Sequence, residues 1–222
     1  MSFLKRAAVA LLATTAIASV ATPSIAQEFK GKSAGNLIVR ARGVAVVPDE
    51  DGSITTASGA ATGLDGRVNN DYIPEVDFSY FVTDNIALEL IAGTSRHQVK
   101  AVGGGAEINV GKISLLPPTL TAQYHFMPKE RFSPYVGAGV NWTLFYGADE
   151  DAGFNSLKVN NSFGAALQVG VDYFLTDNIL LNFDVKKIWL DSTLKVNLGS
   201  TALRSEVDLN PWLIGVGVGY KF

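Results

Sequence analysis

The sequence contains no cysteine, so it can form neither a disulfide framework nor a thiolate metal site. It has only two histidines among 222 residues, and it carries no nucleophile elbow, metal-ligand pair or phosphate-binding loop. Its 18 basic residues are outnumbered by 21 acidic ones, which gives no reason to expect a nucleic-acid partner. We therefore expect a protein that has no cofactor or metal ion and is not an enzyme.

A stretch of about 20 apolar residues, the length that a membrane-spanning helix needs, is also missing. The apolar run Ala7–Val20 is short and rich in alanine and threonine. Lys5 and Arg6 precede it, and small residues follow it at the positions that a signal peptidase reads before a cut after Ala26. The pattern predicts a cleaved secretory signal peptide over residues 1–26.

The remaining part of the chain, residues 27–222, has the length of one domain and a formal charge of −5, from 16 basic and 21 acidic residues. Its clearest pattern lies at the C-terminal end, where apolar side chains alternate with glycines, Leu213 and Lys221. Successive side chains of a strand point to opposite faces, so one face is wholly apolar. That face consists of Trp212, Ile214, Val216, Val218, Tyr220 and Phe222. Aromatic residues at both margins of such a face are typical of an outer-membrane barrel strand, and glycines on the other face suit a narrow interior.

The same period of two predicts seven further strands upstream. Their connections alternate between tight turns, at Thr83–Asn85 and Thr176–Asn178, and long loops, at Pro48–Asp71, at Gly147–Asn161 and around Gly199. The sequence thus predicts an all-β fold, an eight-stranded antiparallel up-and-down transmembrane β-barrel. The tight turns and both chain termini are expected in the periplasm.

A soluble calycin-like barrel is the alternative fold. It would bury its apolar residues and carry charges outside, whereas the charged residues here share the glycine-rich face. Lys187 is the exception, since it lies in phase with the apolar face. A lysine at mid-bilayer costs about 2–4 kcal/mol, so we place Lys187 near the membrane rim, where its stem can snorkel.

Several segments, in this order, resemble the outer membrane protein W family: Ala34-Gly35, Thr83-Asp84-Asn85-Ile86, Leu116-Pro117-Pro118-Thr119-Leu120, Pro134–Gly139, Gln168–Tyr173, Asp208–Trp212 and Gly219–Phe222. The resemblance covers the whole chain after residue 26. It implies a monomeric barrel in the outer membrane of Gram-negative bacteria, in contact with outer-membrane lipid and lipopolysaccharide. It also implies passage of small hydrophobic compounds, and members are linked to stress responses and to binding of phage or bacteriocins. Phe222 resembles the terminal membrane-insertion signal of such barrels, which implies the barrel assembly machinery as a partner.

The face expected to line the barrel carries charged residues that we predict to form a paired polar network: Arg40, Arg42, Glu75, Asp77, Glu89, Asp172, Asp184 and Lys186. A selectivity lining is the alternative, but an eight-stranded barrel has little free interior and buried charges need partners. The same face carries a candidate apolar channel lining: Ile38, Val44, Ile91, Tyr135, Phe145 and Leu213. These residues suit either packed filler or an apolar pocket, from which a solute would leave sideways into the membrane between strand ends.

We therefore predict an outer-membrane channel for small hydrophobic compounds. The alternative is a structural, stress-related or receptor barrel with a sealed interior, which needs only its exposed loops. Catalysis would require His97 or His125 beside a nucleophile. We expect His125 in the interior network instead, and His97 at the outer rim with Arg96, facing lipopolysaccharide phosphates. The acids at 49–51 have calcium-ligand chemistry without EF-hand spacing, and they indicate a solvated loop.

Overall fold

The computed structural model describes residues 29–49, 53–151, 153–198 and 201–222. Within them the chain forms fifteen strands, which are β1 (Leu37–Val47), β2 (Ser53–Thr56), β3 (Ala61–Val68), β4 (Asp71–Phe81), β5 (Ile86–Gly93), β6 (Ser95–Gly103), β7 (Ala106–Leu116), β8 (Thr119–His125), β9 (Phe132–Glu150), β10 (Phe154–Val159), β11 (Ser162–Phe174), β12 (Ile179–Trp189), β13 (Asp191–Leu198), β14 (Thr201–Asp208) and β15 (Trp212–Lys221). No helix among these residues is long and apolar enough to cross a membrane. The predicted signal peptide lies outside the described residues.

Eight of these strands close into a barrel. Each is antiparallel to the next in the order β1, β4, β5, β8, β9, β11, β12 and β15, and β15 returns to pair with β1. At the closure Ile38 is opposite Lys221 on one side and Ser79 on the other. Full closure leaves no unpaired edge, which a sheet inside a lipid bilayer requires. The predicted all-β eight-stranded barrel is confirmed.

The outer face of this barrel is apolar and ends in two aromatic girdles. The girdle near the tight turns contains Tyr80, Tyr124, Phe126, Phe132, Tyr173, Tyr220 and Phe222. The girdle at the other margin contains Tyr72, Trp142, Phe163, Trp189 and Trp212. Exposed aliphatic side chains fill the band between them, as expected for a lipid-facing surface. We call the margin with the tight turns the turn end, and the opposite margin the extended end.

The barrel wall continues beyond the extended end as a second sheet, with the order β9, β7, β6, β3, β2, β14, β13 and β10. Strand β9 has 19 residues and belongs to both sheets. The predicted long loops at 48–71, at 147–161 and around residue 199 were therefore wrong over much of their length. Glycine, serine and aspartate disfavour strands intrinsically, but pairing and packing with neighbouring strands override that weak preference.

Candidate functional site

The interior at the turn end is filled by ion pairs centred on Arg40, whose side chain is fully buried. Its Nη1 atom lies 2.7 Å from Asp77 Oδ1 and donates to Ser79 Oγ at 2.7 Å. Its Nη2 and Nε atoms donate to the two oxygens of Asp172, at 2.7 and 3.1 Å. A guanidinium in this two-pronged geometry fixes a carboxylate in place as well as neutralising it.

A second centre lies next to it, nearer the extended end. Arg42 reaches Glu75 at 2.6 Å and Glu89 at 2.9 Å. Tyr135 donates to Asp184 Oδ2 at 2.7 Å. The structure thus places the eight charged residues predicted for the interior in one region, and each has an oppositely charged partner within 4 Å: Arg40, Arg42, Glu75, Asp77, Glu89, Asp172, Asp184 and Lys186.

Lys32 belongs to the same network, although no sequence pattern indicated it. It precedes β1, but its ammonium reaches into the barrel and donates to Asp172 at 2.8 Å and Ser133 at 2.9 Å. The Nδ1 atom of His125 lies 2.7 Å from the same ammonium and accepts a hydrogen bond, because an ammonium can only donate. His125 is fully buried, which agrees with its expected place in the interior network.

The segment before β1, residues 29–36, packs against the turn end of the barrel. Phe29 lies against the ring of Phe174, and the ammonium of Lys221 donates to the carbonyls of Lys30 and Gly31. Asp84 in the first tight turn accepts a hydrogen bond from the backbone of residue 34. A hydrogen bond from the Lys129 ammonium lowers the pKa of that carboxyl, and so does the backbone bond. The segment therefore acts as a cover over the turn end.

Between the network and the extended end lies a cavity with about 760 Å³ of empty space, including the part open to solvent. Most of its wall is aliphatic: Val46, Ile73, Ile91, Ile188, Leu190 and Leu213. Glu75 and Lys186, at the edge of the network, also line it. Ligand pockets in other proteins share this composition, mainly apolar side chains with a few polar groups.

The candidate apolar lining is divided among four places. Ile91 and Leu213 line the cavity, and Val44 packs in the buried cluster next to Leu213. Ile38 lies instead at the turn end with Phe81, Phe174 and Leu180. Tyr135 is part of the polar network, and Phe145 lies in the wall of the extension. Strand phase predicts which face a side chain occupies, but it does not predict which side chains of other strands it meets there.

His97 is not at the outer rim. It is 3% exposed, it lines the cavity, and its ring nitrogens bond to the carbonyl of Asn69 and to Ser95 Oγ. Arg96 does point outward and pairs with Asp149. The expected rim position was therefore wrong for His97, because the wall continues past the membrane band and encloses it. Among the described residues, no group of three His, Asp or Glu side chains could hold a metal ion.

Lys187 lies near the membrane rim, as its outward strand phase and the cost of a lysine at mid-bilayer predicted. Its ammonium donates to Asp49 at 3.0 Å and lies 4.8 Å from the ring centre of Trp212, in the girdle of the extended end. Phe222, the candidate insertion signal, is exposed in the girdle of the turn end and contacts the ring of Tyr220. Its role in insertion stays a prediction.

Two further cavities lie next to the apolar cavity, on the side of strands β9 and β10. A second, smaller cavity shares Val68, Ile113 and Leu209 with the first, and a third shares Ile113 and Val159 with the second. The third cavity lies between β9 and β10, which no strand pairing joins within the described residues. Strand β9 loses its partner β11 after residue 143, next to the stacked rings of Trp142 and Phe163. The gap thus starts at the membrane interface.

A closed eight-stranded barrel with an apolar outer band, two aromatic girdles and a charged interior defines an integral outer-membrane protein. The sequence profile of the OmpW family matches residues 33–222, and the chain belongs to that family. It is 46% identical to outer-membrane protein y4mB of Sinorhizobium fredii, over 93% of this chain and 90% of that protein.

Two solved structures of outer-membrane proteins are similar to this chain. The crystal structure of OprG from Pseudomonas aeruginosa superposes with a TM-score of 0.83 at 33% identity, over 87% of this chain and 99% of that one. The structure of AlkL in lipid bilayers superposes with a TM-score of 0.67 at 30% identity, over 86% and 92% of the two chains. The protein is thus an outer-membrane barrel of the OmpW, OprG and AlkL type.

Proposed function

We propose that this protein is a channel that carries small hydrophobic compounds from the extracellular side into the outer membrane. The observation that supports this most is a closed turn end below an apolar cavity, which shares lining residues with the first of two further cavities that reach the wall between β9 and β10. A water-filled pore would be lined by polar groups, whereas the walls of this cavity are mainly aliphatic.

The route that we propose starts at the extended end, which faces the cell exterior. An apolar solute loses its water in the cavity, where it contacts Ile73, Ile188 and Leu213. The charged network and the cover segment, residues 29–36, oppose its passage to the periplasm, since both fill the barrel with polar or packed groups. The solute therefore leaves sideways, between β9 and β10, into the outer leaflet beside Tyr146.

Uptake into vesicles that contain the refolded protein tests this proposal against vesicles without protein. A small apolar probe should enter faster in the presence of the protein, and a sugar of similar size should not. Acceleration of both probes would identify a general aqueous pore instead. Acceleration of neither would favour the receptor function described below.

Two tryptophan substitutions test the exit. Ala148 is exposed and lines the gap between β9 and β10, so Ala148→Trp should block the gap and lower uptake of the apolar probe severalfold. Ala106 is an exposed alanine at the start of β7, outside the three cavities, so Ala106→Trp should leave uptake unchanged. Equal uptake by both variants would place the exit elsewhere.

A structural or receptor barrel is the second candidate function. The second sheet, which extends the wall past the girdle, favours this function. Its paired strands hold charged side chains such as Arg96, Lys100 and Glu107 on an ordered surface. The hydrogen bond from Lys100 lowers the pKa of the Glu107 carboxyl. A phage or bacteriocin that needs this surface should bind Ala148→Trp as well as wild type.

A further inference from the structure

Lys186 is the one polar side chain of the main cavity, among the described residues, that combines full burial with an unused set of donors. Its side chain is 1% exposed, and its nearest ionic contact is Asp184 Oδ1 at 3.8 Å, beyond hydrogen-bond distance. An ammonium can donate three hydrogen bonds, and no described residue accepts one from Lys186. Because Lys186 lines the cavity, these donors are open to an acceptor inside it.

The other neutral polar groups of the cavity already have partners. His97 bonds to Asn69 and Ser95, and Ser95 accepts or donates in the same contact. Thr119 donates to the carbonyl of Pro117, and Thr143 donates to Asn141 Oδ1. These side chains have little capacity left for a ligand. The donors that remain free for a ligand are therefore concentrated where the cavity borders the charged network, at Lys186.

The position of Lys186 gives the geometry of a ligand. It is the last charged residue of β12 on the inner face, and the next inward residues of the chain are Ile188 and Leu190, which line the cavity. Leu213 is its partner on β15. A ligand that reaches the ammonium must therefore place its remaining length along aliphatic side chains.

The charge of the surroundings selects among acceptors. The network holds four cations, Lys32, Arg40, Arg42 and Lys186, and five carboxylates, Glu75, Asp77, Glu89, Asp172 and Asp184, a formal charge of −1 that is offset by the buried Lys221, which bonds to the cover segment at the turn end. Glu75 also lines the cavity beside Lys186. An anionic ligand would add a further negative charge to this buried region, and a neutral oxygen would not.

We propose that Lys186 is a specificity-determining residue and that the preferred ligands are neutral apolar compounds with one oxygen at the end, such as alcohols, ketones or esters. The ammonium donates to that oxygen while the apolar part lies against the cavity wall. A pure hydrocarbon contacts the same aliphatic side chains but provides no acceptor for the ammonium. This inference rests on the proposed function and names the class of solute that the cavity prefers.

The test measures binding, so it does not depend on transport. n-Decane, n-decanol and n-decanoate displace a fluorescent apolar probe from the protein in lipid nanodiscs, and each affinity is corrected for partition into protein-free nanodiscs. We expect n-decanol to bind about tenfold or more tightly than n-decane, since a hydrogen bond to a charged group contributes about 1.5–3 kcal/mol. Equal corrected affinities in wild type, or preference for n-decanoate, would overturn the proposal and leave the proposed channel intact.

Three variants separate the role of Lys186 from a general effect. Lys186→Met keeps the apolar stem without donors and should abolish the preference for n-decanol, while Lys186→Gln keeps an N–H donor and should retain part of it. Lys187→Met removes the neighbouring lysine, which points to the rim, and should change nothing. A preference that persists in Lys186→Met would refute the assignment. If that variant fails to fold, the wild-type ligand series and Lys186→Gln still decide it.

Discussion

Asp172 shows how much a single residue matters inside a narrow barrel. Its carboxylate accepts hydrogen bonds from Arg40, Lys32 and Asn182, and all three donors are buried. Arg40 and Lys32 are both cations, so the charge of Asp172 holds two like charges within one small volume. The network is therefore strongly dependent on this residue.

We predict that Asp172→Asn lowers the free energy of unfolding by about 3–5 kcal/mol, because it leaves two buried cations with too little negative charge. Urea unfolding of the protein in detergent micelles or lipid vesicles would measure the loss. Asp149→Asn is the matched control, since its partner Arg96 is more than half exposed and exposed pairs contribute less than about 1 kcal/mol. Equal losses in the two variants would contradict a tightly paired interior.

At the scale of the strand, β15 and β1 show why glycine alternates with apolar residues at the C-terminal end. A Cβ atom on Gly217 would lie 2.1 Å from the carbonyl oxygen of Ala41 and 2.8 Å from Arg42 Cα. On Gly219 it would lie 2.9 Å from Arg40 Cγ. The glycines thus leave room for the long arginine side chains that cross the barrel.

We predict that Gly217→Ala destabilises the barrel by about 1–3 kcal/mol, the range for overpacked sites. Gly43→Ala is the control on the neighbouring strand, because a Cβ atom there meets nothing within 4 Å and points toward lipid. It should change the free energy of unfolding by less than about 0.5 kcal/mol. The same urea titration measures both, and a Gly217→Ala variant as stable as wild type would show that the strands separate at little cost.

The strands also show what the sequence can and cannot predict. In the membrane band the bilayer imposes a strict alternation of faces, and this predicted the eight barrel strands and the interior position of Arg40 and Asp184. In the extension no lipid imposes that pattern, and β2 and β3 contain serine, threonine, glycine and aspartate. Their strands depend on pairing with distant segments, which a local pattern does not contain.

The candidate site needs the three-dimensional molecule for the same reason. Lys32 comes from a polar segment without strand pattern, yet it reaches Asp172, 140 positions along the chain. His97 and Leu213 line one cavity only because the wall continues past the girdle. The alternation along a strand predicts whether a side chain points into the barrel or toward lipid. The shear and length of the barrel then decide which inward side chains meet.

The position of the whole molecule in the bilayer has its own test. The three tryptophans of the sequence, Trp142, Trp189 and Trp212, all lie on the outer face in the girdle of the extended end. Indole rings favour the interface between headgroups and acyl chains. We predict that their fluorescence is quenched most by lipids that carry a bromine or spin label near the glycerol, and least by lipids labelled at the chain end.

A tryptophan moved to the middle of the band provides the control. Val216 lies on the outer face of β15, between Trp212 and Tyr220, and its side chain is 60% exposed. Val216→Trp, in a protein whose native tryptophans are replaced by phenylalanine, should reverse the order, with the chain-end label quenching most. If the native tryptophans gave that reversed order, the apolar band and its girdles would not coincide with the bilayer. The gap beside Tyr146 would then lie inside the hydrocarbon, where unpaired strand edges are not tolerated.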